Sequence, residues 1–177
     1  CVFDFDNDGF EDVFITSGMK DDVLYKNNGD GTFTNVYLGS GLEASREFVT
    51  QGAASADVNR DGFRDLLVTT ITTKAEKKVI PRASNLLFLN NGDGTFRDVS
   101  EAYGFNERST FSTAASFGDF NADGFPDIYI GNYFNQFEGE LSTISDATIV
   151  GANQISEGNL LLNEGGKFFK DVYHDYD

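Results

Sequence analysis

The stretch "DFDNDGFED", residues 4–12, has aspartate at its first, third, fifth and ninth positions and glycine at its sixth. The pattern returns as "DVNRDGFRD" at residues 57–65 and as "DFNADGFPD" at residues 119–127. One such loop could be an ordinary turn, because aspartate, asparagine and glycine are common turn formers. Three loops with the same spacing of carboxylate and amide groups favour a metal site in each.

Calcium is the ion that these loops fit best, because it binds about six to eight oxygen atoms, and alternate residues of a tight turn direct their side chains to one centre. Magnesium prefers strict octahedral geometry with several waters, and zinc would favour histidine or cysteine ligands. We predict about three Ca²⁺ ions, one per loop, bound by the side chains at positions 1, 3, 5 and 9 and by the backbone carbonyl at position 7. The predicted ligands are Asp4, Asp6, Asp8, Phe10 and Asp12 in the first loop, Asp57, Asn59, Asp61, Phe63 and Asp65 in the second, and Asp119, Asn121, Asp123, Phe125 and Asp127 in the third.

The flanking sequence excludes an EF-hand, which needs a glutamate at position 12 and a helix on each side of the loop. Position 12 is Ile15, Val68 or Ile130 here. Each of these residues lies in a β-branched and aromatic run, "DVFITSG", "DLLVTTI" or "DIYIGNY", which is typical of a strand. The loops are therefore predicted to connect strands.

A second motif follows each loop: "LYKNNGDGTFTNV" from Leu24, "LFLNNGDGTFRDV" from Leu87 and "LLLNEGGKFFKDV" from Leu160. Asn-Gly and Asp-Gly between two apolar runs predict a β-hairpin, because these residues tolerate the positive φ of the primed turns. Each repeat is then an antiparallel meander of four strands. A short helical turn is expected only in "SEAYGF", residues 100–105.

Tandem four-stranded units of about 40–60 residues predict an all-β fold, a segment of a β-propeller with about three blades and a calcium loop between the first and second strand of each. A β-sandwich also has many short strands, but identical metal-type loops at one point of every unit are not expected there. The predicted blades are about 1–37, with its innermost strand truncated, about 50–100 and about 112–175. Because propellers use about four to eight blades, neighbouring chains or further blades would have to complete the ring.

Charge limits the partners of the chain. Its 29 acidic and 13 basic residues give a net charge of −16, which repels nucleic acids and anionic membranes and attracts cations. No apolar run approaches the length of about 18 residues that a membrane span needs, so neither nucleic-acid binding nor membrane insertion is expected. The single cysteine, Cys1, cannot form an internal disulfide.

At the aspartate loops and the hairpin motifs the sequence resembles the FG-GAP/VCBS repeats, which form the calcium-loop blades of integrin alpha-chain propellers and of many secreted bacterial proteins. Within that class it is most similar to the cartilage-acidic-protein and UnbV-like group. The resemblance implies that the metal loop joins the first two strands of a blade. It also implies an extracellular, cell-surface or periplasmic location. The hairpin "NEGGKF", residues 163–168, departs from the "NNGDGTF" of the other two repeats.

Recognition is predicted at the end of the blades opposite the metal loops, where the connections between second and third strands vary in length. Residues 73–84 carry Lys74, Lys77, Lys78 and Arg82 against Glu76, and residues 132–159 open with three aromatic residues. Long loops on a rigid scaffold commonly bind partners, so these two segments are candidates for contact with an extracellular protein or glycan.

The leading hypothesis is a non-catalytic binding or adhesion module in which calcium is structural. The single histidine, His174, gives no basis for a catalytic triad. The alternatives are a propeller-type polysaccharide lyase or hydrolase, and a structural subunit whose outer blades assemble with neighbouring chains.

Overall fold

The computed structural model describes residues 1–74, 83–105, 109–133 and 157–176. Most of the two long connections, residues 75–82 and 134–156, therefore lies outside the described residues, together with most of the basic and aromatic side chains predicted there. The described part is all-β, with three four-stranded antiparallel sheets whose strands follow one another in chain order. This confirms the predicted meander in every repeat.

The strands are bounded as follows. The first sheet consists of β1 (Val2–Phe3), β2 (Asp12–Ile15), β3 (Val23–Asn27) and β4 (Phe33–Asn35), and the second of β5 (Phe48–Ala56), β6 (Asp65–Thr73), β8 (Leu86–Asn90) and β9 (Phe96–Asp98). The third sheet consists of β11 (Ser112–Gly118), β12 (Asp127–Asn132), β13 (Asn159–Asn163) and β14 (Phe169–Asp171). Two short strands, β7 (Ala83–Ser84) and β10 (Ser109–Thr110), form a separate two-stranded sheet. The innermost strand β1 has 2 residues, whereas β5 has 9 and β11 has 7.

The second sheet lies between the other two, and its strand β6 shows this in its sequence. Leu66 and Val68 pack into a core shared with the first sheet, and Leu67 packs into a core shared with the third. Successive side chains of a strand point to opposite faces, so a strand covered on both faces is buried throughout and does not alternate between buried and exposed residues. All six residues Asp65–Thr70 are accordingly buried.

Two apolar cores join the three sheets. The core between the first and second sheets is rich in phenylalanine, and the ring of Phe96 lies 6.5 Å from that of Phe3 and 6.1 Å from that of Phe5, measured between centroids. The core between the second and third sheets includes Tyr103 and Phe105 from the connection that precedes the third sheet. Face-to-face packing of consecutive sheets is the arrangement of propeller blades.

The hairpins form where they are predicted, but in the first two the prediction of primed turns is wrong. Each loop has five residues and is closed by a hydrogen bond from its first N–H to its last carbonyl, as from Asn28 to Thr32 at 3.0 Å and from Asn91 to Thr95 at 2.9 Å. A type I′ turn needs positive φ at asparagine as well as glycine. In the first hairpin the positive φ values fall on Gly29 and Gly31, at 74° and 88°, with an aspartate between them.

The short helical segments are partly as predicted. The expected turn in residues 100–105 is confirmed by hydrogen bonds from Tyr103 N to Val99 O, 3.0 Å, and from Phe105 N to Ser100 O, 2.8 Å. Two 3-10 helices, Glu43–Glu47 and Tyr173–Tyr176, were not predicted. Four or five residues are too few to develop the apolar period from which a helix is recognised.

Candidate metal centre

The three aspartate loops connect the first and second strands of the three sheets and lie at the same end as the hairpins. A side-chain β-carbon on Gly29 would come within 2.7 Å of the ring of Phe10, and one on Gly92 within 2.7 Å of the ring of Phe63. The phenylalanine at position 7 thus covers the hairpin of its own sheet. The glycines of the "NGDG" motif permit this close approach, so the two repeated motifs form one structural unit.

The aspartate at position 1 shapes each loop by accepting hydrogen bonds from two backbone N–H groups. Asp4 accepts from Asp8 and Gly9 at 3.2 and 2.8 Å. The second and third loops repeat this arrangement, with distances of 3.0 and 2.9 Å at Asp57 and of 3.1 and 2.9 Å at Asp119. The side chain at position 1 is therefore held on the inner side of a tight turn in all three loops.

Position 4 of each loop has a left-handed backbone conformation, which is uncommon for residues other than glycine and asparagine. Asn7, Arg60 and Ala122 have φ of 57°, 61° and 58°. Left-handed backbone costs a residue other than glycine about 1–2 kcal/mol. The same strained position in all three loops shows that the loop conformation follows from its hydrogen bonds and not from the residue at position 4.

The aspartate at position 9 is fully buried and joins the loop to the third strand of its sheet. One oxygen of Asp65 accepts a hydrogen bond from Val58 N at 2.8 Å, and the other accepts from Asn90 N at 2.9 Å. Asp12 and Asp127 bond to the corresponding N–H groups of their own sheets at 2.7–3.0 Å. The loop pattern predicts these aspartates only as ligands and does not reveal this link, although an asparagine ends the third strand of every repeat.

Burial and neighbouring charges disfavour ionisation of the second-loop aspartate. Burial, its largest cause, raises the pKa of Asp65 to about 7, the negative charges of Asp61 and Asp57 add to the shift, and the two backbone N–H groups oppose it. Burial also raises the pKa of Asp12. A cation bound among these groups would relieve both the repulsion and the cost of burying the charge.

In the first loop, the structure brings together three of the predicted ligands. Asp4, Asp6 and Asp8 each offer an oxygen within 4.8 Å of the other two, whereas Asp12 is not part of this cluster. Oδ1 of Asp6 is buried and has no hydrogen-bond partner among the described residues. The ammonium of Lys26 contacts the carboxylates of Asp6 and Asp8 and is a cation at the place expected for a metal ion.

In the second and third loops the central ligand is an asparagine. The amides of Asn59 and Asn121 donate to the carboxylates of Asp61 and Asp123 at 2.8 and 2.9 Å, so positions 3 and 5 are again adjacent. The candidate metal ligands in all three loops are carboxylate and amide oxygens, which suit a hard cation such as calcium. At position 7, Phe10, Phe63 and Phe125 donate their N–H groups to the position 5 carboxylate at 2.8–2.9 Å, and their carbonyls stay predicted ligands.

The sheets are also linked to one another at this end. The side-chain amide of Asn90 donates to Phe5 O, in the loop of the preceding sheet, at 2.6 Å, and that of Asn163 donates to Val58 O at 2.8 Å. Neighbouring loops also touch, because Asn7 Nδ2 donates to Gly62 O at 3.0 Å. The three loops therefore form one connected row.

The sequence that forms these loops and sheets matches a known protein family. The model of the FG-GAP-like repeat matches residues 4–68 and 76–130, which is more than half of the chain and includes all three aspartate loops. The chain belongs to the FG-GAP-like repeat family. The resemblance predicted from the aspartate loops and hairpin motifs is therefore confirmed.

The relatives of this FG-GAP-like chain are much longer proteins, and the chain matches only a segment of each. It is 33% identical over 85 residues to cartilage acidic protein 1 of Xenopus tropicalis, covering 46% of the chain and 13% of that protein, and 32% identical over 100 residues to the human cartilage acidic protein 1, covering 54% and 14%. It is also 33% identical over 125 residues to integrin alpha-3 of Cricetulus griseus, covering 69% of the chain and 11% of the integrin. In the described part of the chain, no helix is both long and apolar enough to cross a membrane.

The link between sheets can be tested at Asn90. Asn90→Asp preserves the shape of the side chain but replaces the NH₂ group, which donates to Phe5 O, with a carboxylate oxygen. This oxygen would face Phe5 O and lie near the carboxylate of Asp65. We expect a loss of at least about 2 kcal/mol in the free energy of unfolding, since an unsatisfied buried polar group costs about 1–3 kcal/mol and a charged one more. Urea denaturation at fixed calcium measures it.

The matched control is Asn91→Asp at the next residue, where the exposed amide donates to the hydroxyl of Thr95 at 3.0 Å. This change should stay within about 0.5 kcal/mol, as is usual at the surface. Equal losses in the two variants would show that the Asn90 amide does not hold the sheets together.

Proposed function

We propose that this chain is a calcium-stabilised section of an extracellular β-propeller that serves as a non-catalytic module for binding protein or glycan. The aspartate loops hold about three Ca²⁺ ions and fix the blades, and the opposite loops recognise the partner. The proposal rests on one observation above all, namely a loop geometry that is repeated three times. In each loop the aspartates at positions 1 and 5 are oriented by backbone N–H groups, and the position 9 aspartate is buried below them.

Relatives and composition support the extracellular part of the proposal. The names cartilage acidic protein 1 and integrin alpha-3 do not denote enzymes, and both fit the extracellular location that the resemblance to FG-GAP/VCBS repeats implies. Calcium is abundant outside cells, where sites with dissociation constants of about 10⁻⁴–10⁻³ M are filled. A net charge of −16 is tolerable for a protein that binds several divalent cations.

Calcium should stabilise the protein measurably. A ligand that binds only the folded state adds about 2.7 kcal/mol per site when its free concentration is 100 times the Kd. We expect the thermal midpoint of unfolding to rise with calcium and to fall in excess chelator. We also expect Asp61→Asn to weaken calcium binding at the second loop at least tenfold, as measured by isothermal titration calorimetry.

Asp93→Asn is the control for the loss of one carboxylate at the same end of the second sheet. Asp93 is a hairpin residue that accepts hydrogen bonds from Thr95 N and Oγ1, outside the predicted ligand set. A thermal midpoint that chelator leaves unchanged, or identical calcium titrations of the two variants, would overturn the calcium proposal.

A further blade covers the outer face of the third sheet. In the second sheet, Val58, Leu67, Leu87 and Leu89 are buried in the core shared with the third sheet. The repeat places Phe120, Tyr129, Leu160 and Leu162 at the corresponding positions of the third sheet, and these four residues line an open surface cavity of about 580 Å³. Phe120 is 53% exposed and Tyr129 44% exposed. A four-stranded unit of the same kind, from this protein or from a neighbouring chain, matches this face as the third sheet matches the second.

Tyr129→Glu tests this contact in the intact protein. If a further blade covers Tyr129, the new carboxylate is buried against apolar side chains, and the free energy of unfolding should fall by at least about 2 kcal/mol. Leu38→Glu is the control, because Leu38 is 72% exposed in a connection between sheets. Should both variants unfold at the same urea concentration as the parent protein, the outer face of the third sheet is open to solvent and no blade covers it.

The recognition surface lies at the end of the blades opposite the calcium loops. There Lys74 Nζ donates to Lys20 O, which links the connection of the second sheet to that of the first. In sequence, residues 74–82 carry four basic residues and one glutamate on an otherwise acidic chain. This concentration of positive charge favours an acidic protein or a sulfated or carboxylated glycan as the partner.

Charge reversal of Lys77 and Lys78 to glutamate should weaken binding to such a partner at least tenfold on a glycan array or on immobilised extracellular proteins, with calcium present. Lys167→Glu combined with Lys170→Glu gives the same change of net charge at the third sheet and should have little effect. Calcium binding should be unchanged in both double variants. If the two double variants bind equally well, the basic segment does not contact the partner.

A further inference from the structure

The first calcium loop differs from the other two at two positions that contact each other. Position 3 is Asp6, where the second and third loops have Asn59 and Asn121. The third strand carries Lys26 where the other sheets have Leu89 and Leu162. In the structure the ammonium of Lys26 contacts the carboxylates of both Asp6 and Asp8. The first repeat thus has both a negative charge, on Asp6, and a positive charge, on Lys26, that the other two repeats lack at these positions.

The side chain of Lys26 combines the role of a core leucine with that of a cation. Leu89, its counterpart, is buried in the core between the second and third sheets. Lys26 lies beside the core between the first and second sheets, and its Nζ is 5.9 Å from the ring centroid of Phe5. Long lysine side chains commonly pack their stem on apolar surface and place the charge outside. Here the charge reaches the aspartates at positions 3 and 5.

An ammonium and a calcium ion that both contact the carboxylates of Asp6 and Asp8 lie close together and repel each other, so the binding of one opposes the binding of the other. The aspartates of the first loop carry −4, which Lys26 reduces to −3, the charge of the aspartates in each of the other two loops. The first loop therefore has its own counter-ion before any metal binds. In the other two loops the corresponding side chain is leucine, which carries no charge.

We propose that Lys26 is a tethered competitor for calcium, which makes the first loop a weaker calcium site than the second and third. This inference rests on the proposed calcium-binding function. Calcium fills the second and third loops first and enters the first loop only at higher concentration, when it displaces the ammonium from Asp6 and Asp8.

The contacts of the first loop give this difference a structural consequence. Asn7 donates to Gly62 O, and Phe5 O accepts from Asn90, so the first loop is joined directly to the second sheet. Displacement of Lys26 would change the side chains around Phe5 without changing the second and third loops. The junction between the first two sheets would then respond to calcium in a higher concentration range than the rest of the protein.

Lys26→Leu introduces the leucine that the other two sheets have at this position, Leu89 and Leu162. Calorimetric titration of this variant with calcium tests the inference. The parent protein should show two sites of similar affinity and a third that is at least tenfold weaker. In Lys26→Leu the weak site should tighten at least tenfold while the other two stay unchanged. Lys20→Leu removes one positive charge from the opposite end of the same sheet and should leave all three affinities within about twofold.

A second variant, Lys26→Met, keeps an unbranched side chain of similar length without the charge and should give the same result, in case the branched leucine disturbs the first core. Thermal unfolding in calcium checks that each variant folds. Three equal sites in the parent protein, or a weak site that neither Lys26 variant tightens, would overturn the role of Lys26 and leave the calcium proposal intact. If no calcium binds to the folded parent protein, the proposed function fails and this inference fails with it.

Discussion

The buried carboxylate at position 9 of each aspartate loop is the group on which the rest of the blade depends. Removing a carboxylate from water costs several kcal/mol unless it is hydrogen-bonded or paired. Asp65 meets this need with one N–H from its own loop and one from the last residue of the third strand. A carboxylate offers about four lone-pair positions, so two hydrogen bonds still leave room for a cation. The same residue can therefore close the blade and bind a metal ion.

From this carboxylate a chain of contacts extends to the neighbouring blade. Asn90 donates its backbone N–H to Asp65 and its side-chain amide to Phe5 O in the preceding loop, and Asn163 repeats both contacts one blade later. The first and second loops are thus each held by their own position 9 aspartate and by the asparagine of the following sheet. Through these asparagines the first loop contacts the second sheet and the second loop contacts the third sheet, while each loop keeps its own set of candidate ligands.

The repeated motifs made much of the fold predictable. The four-stranded meanders, the hairpin positions and the loops between first and second strands follow from local signals that occur three times. The link from Asp12 to the third strand was not predicted, because a ligand pattern such as D-x-D-x-D is read within one loop and its partner, Asn27, lies 15 residues away. The contact of Lys26 with Asp6 and Asp8 was missed for the same reason. Pairing of β7 with β10 involves two residues in each strand, too few for a periodic signal.

The three loops show how one backbone can balance charge in two ways. In the first, hydrogen bonding to Lys26 lowers the pKa of Asp8, so this carboxylate stays ionised with a partner from within the chain. At position 9, by contrast, burial raises the pKa of Asp12 in the first loop and that of Asp65 in the second, the latter to about 7. A divalent cation close to either carboxylate would favour its ionised form. The first two loops therefore share a buried acidic group at position 9, and they differ in the ammonium that contacts positions 3 and 5 of the first loop.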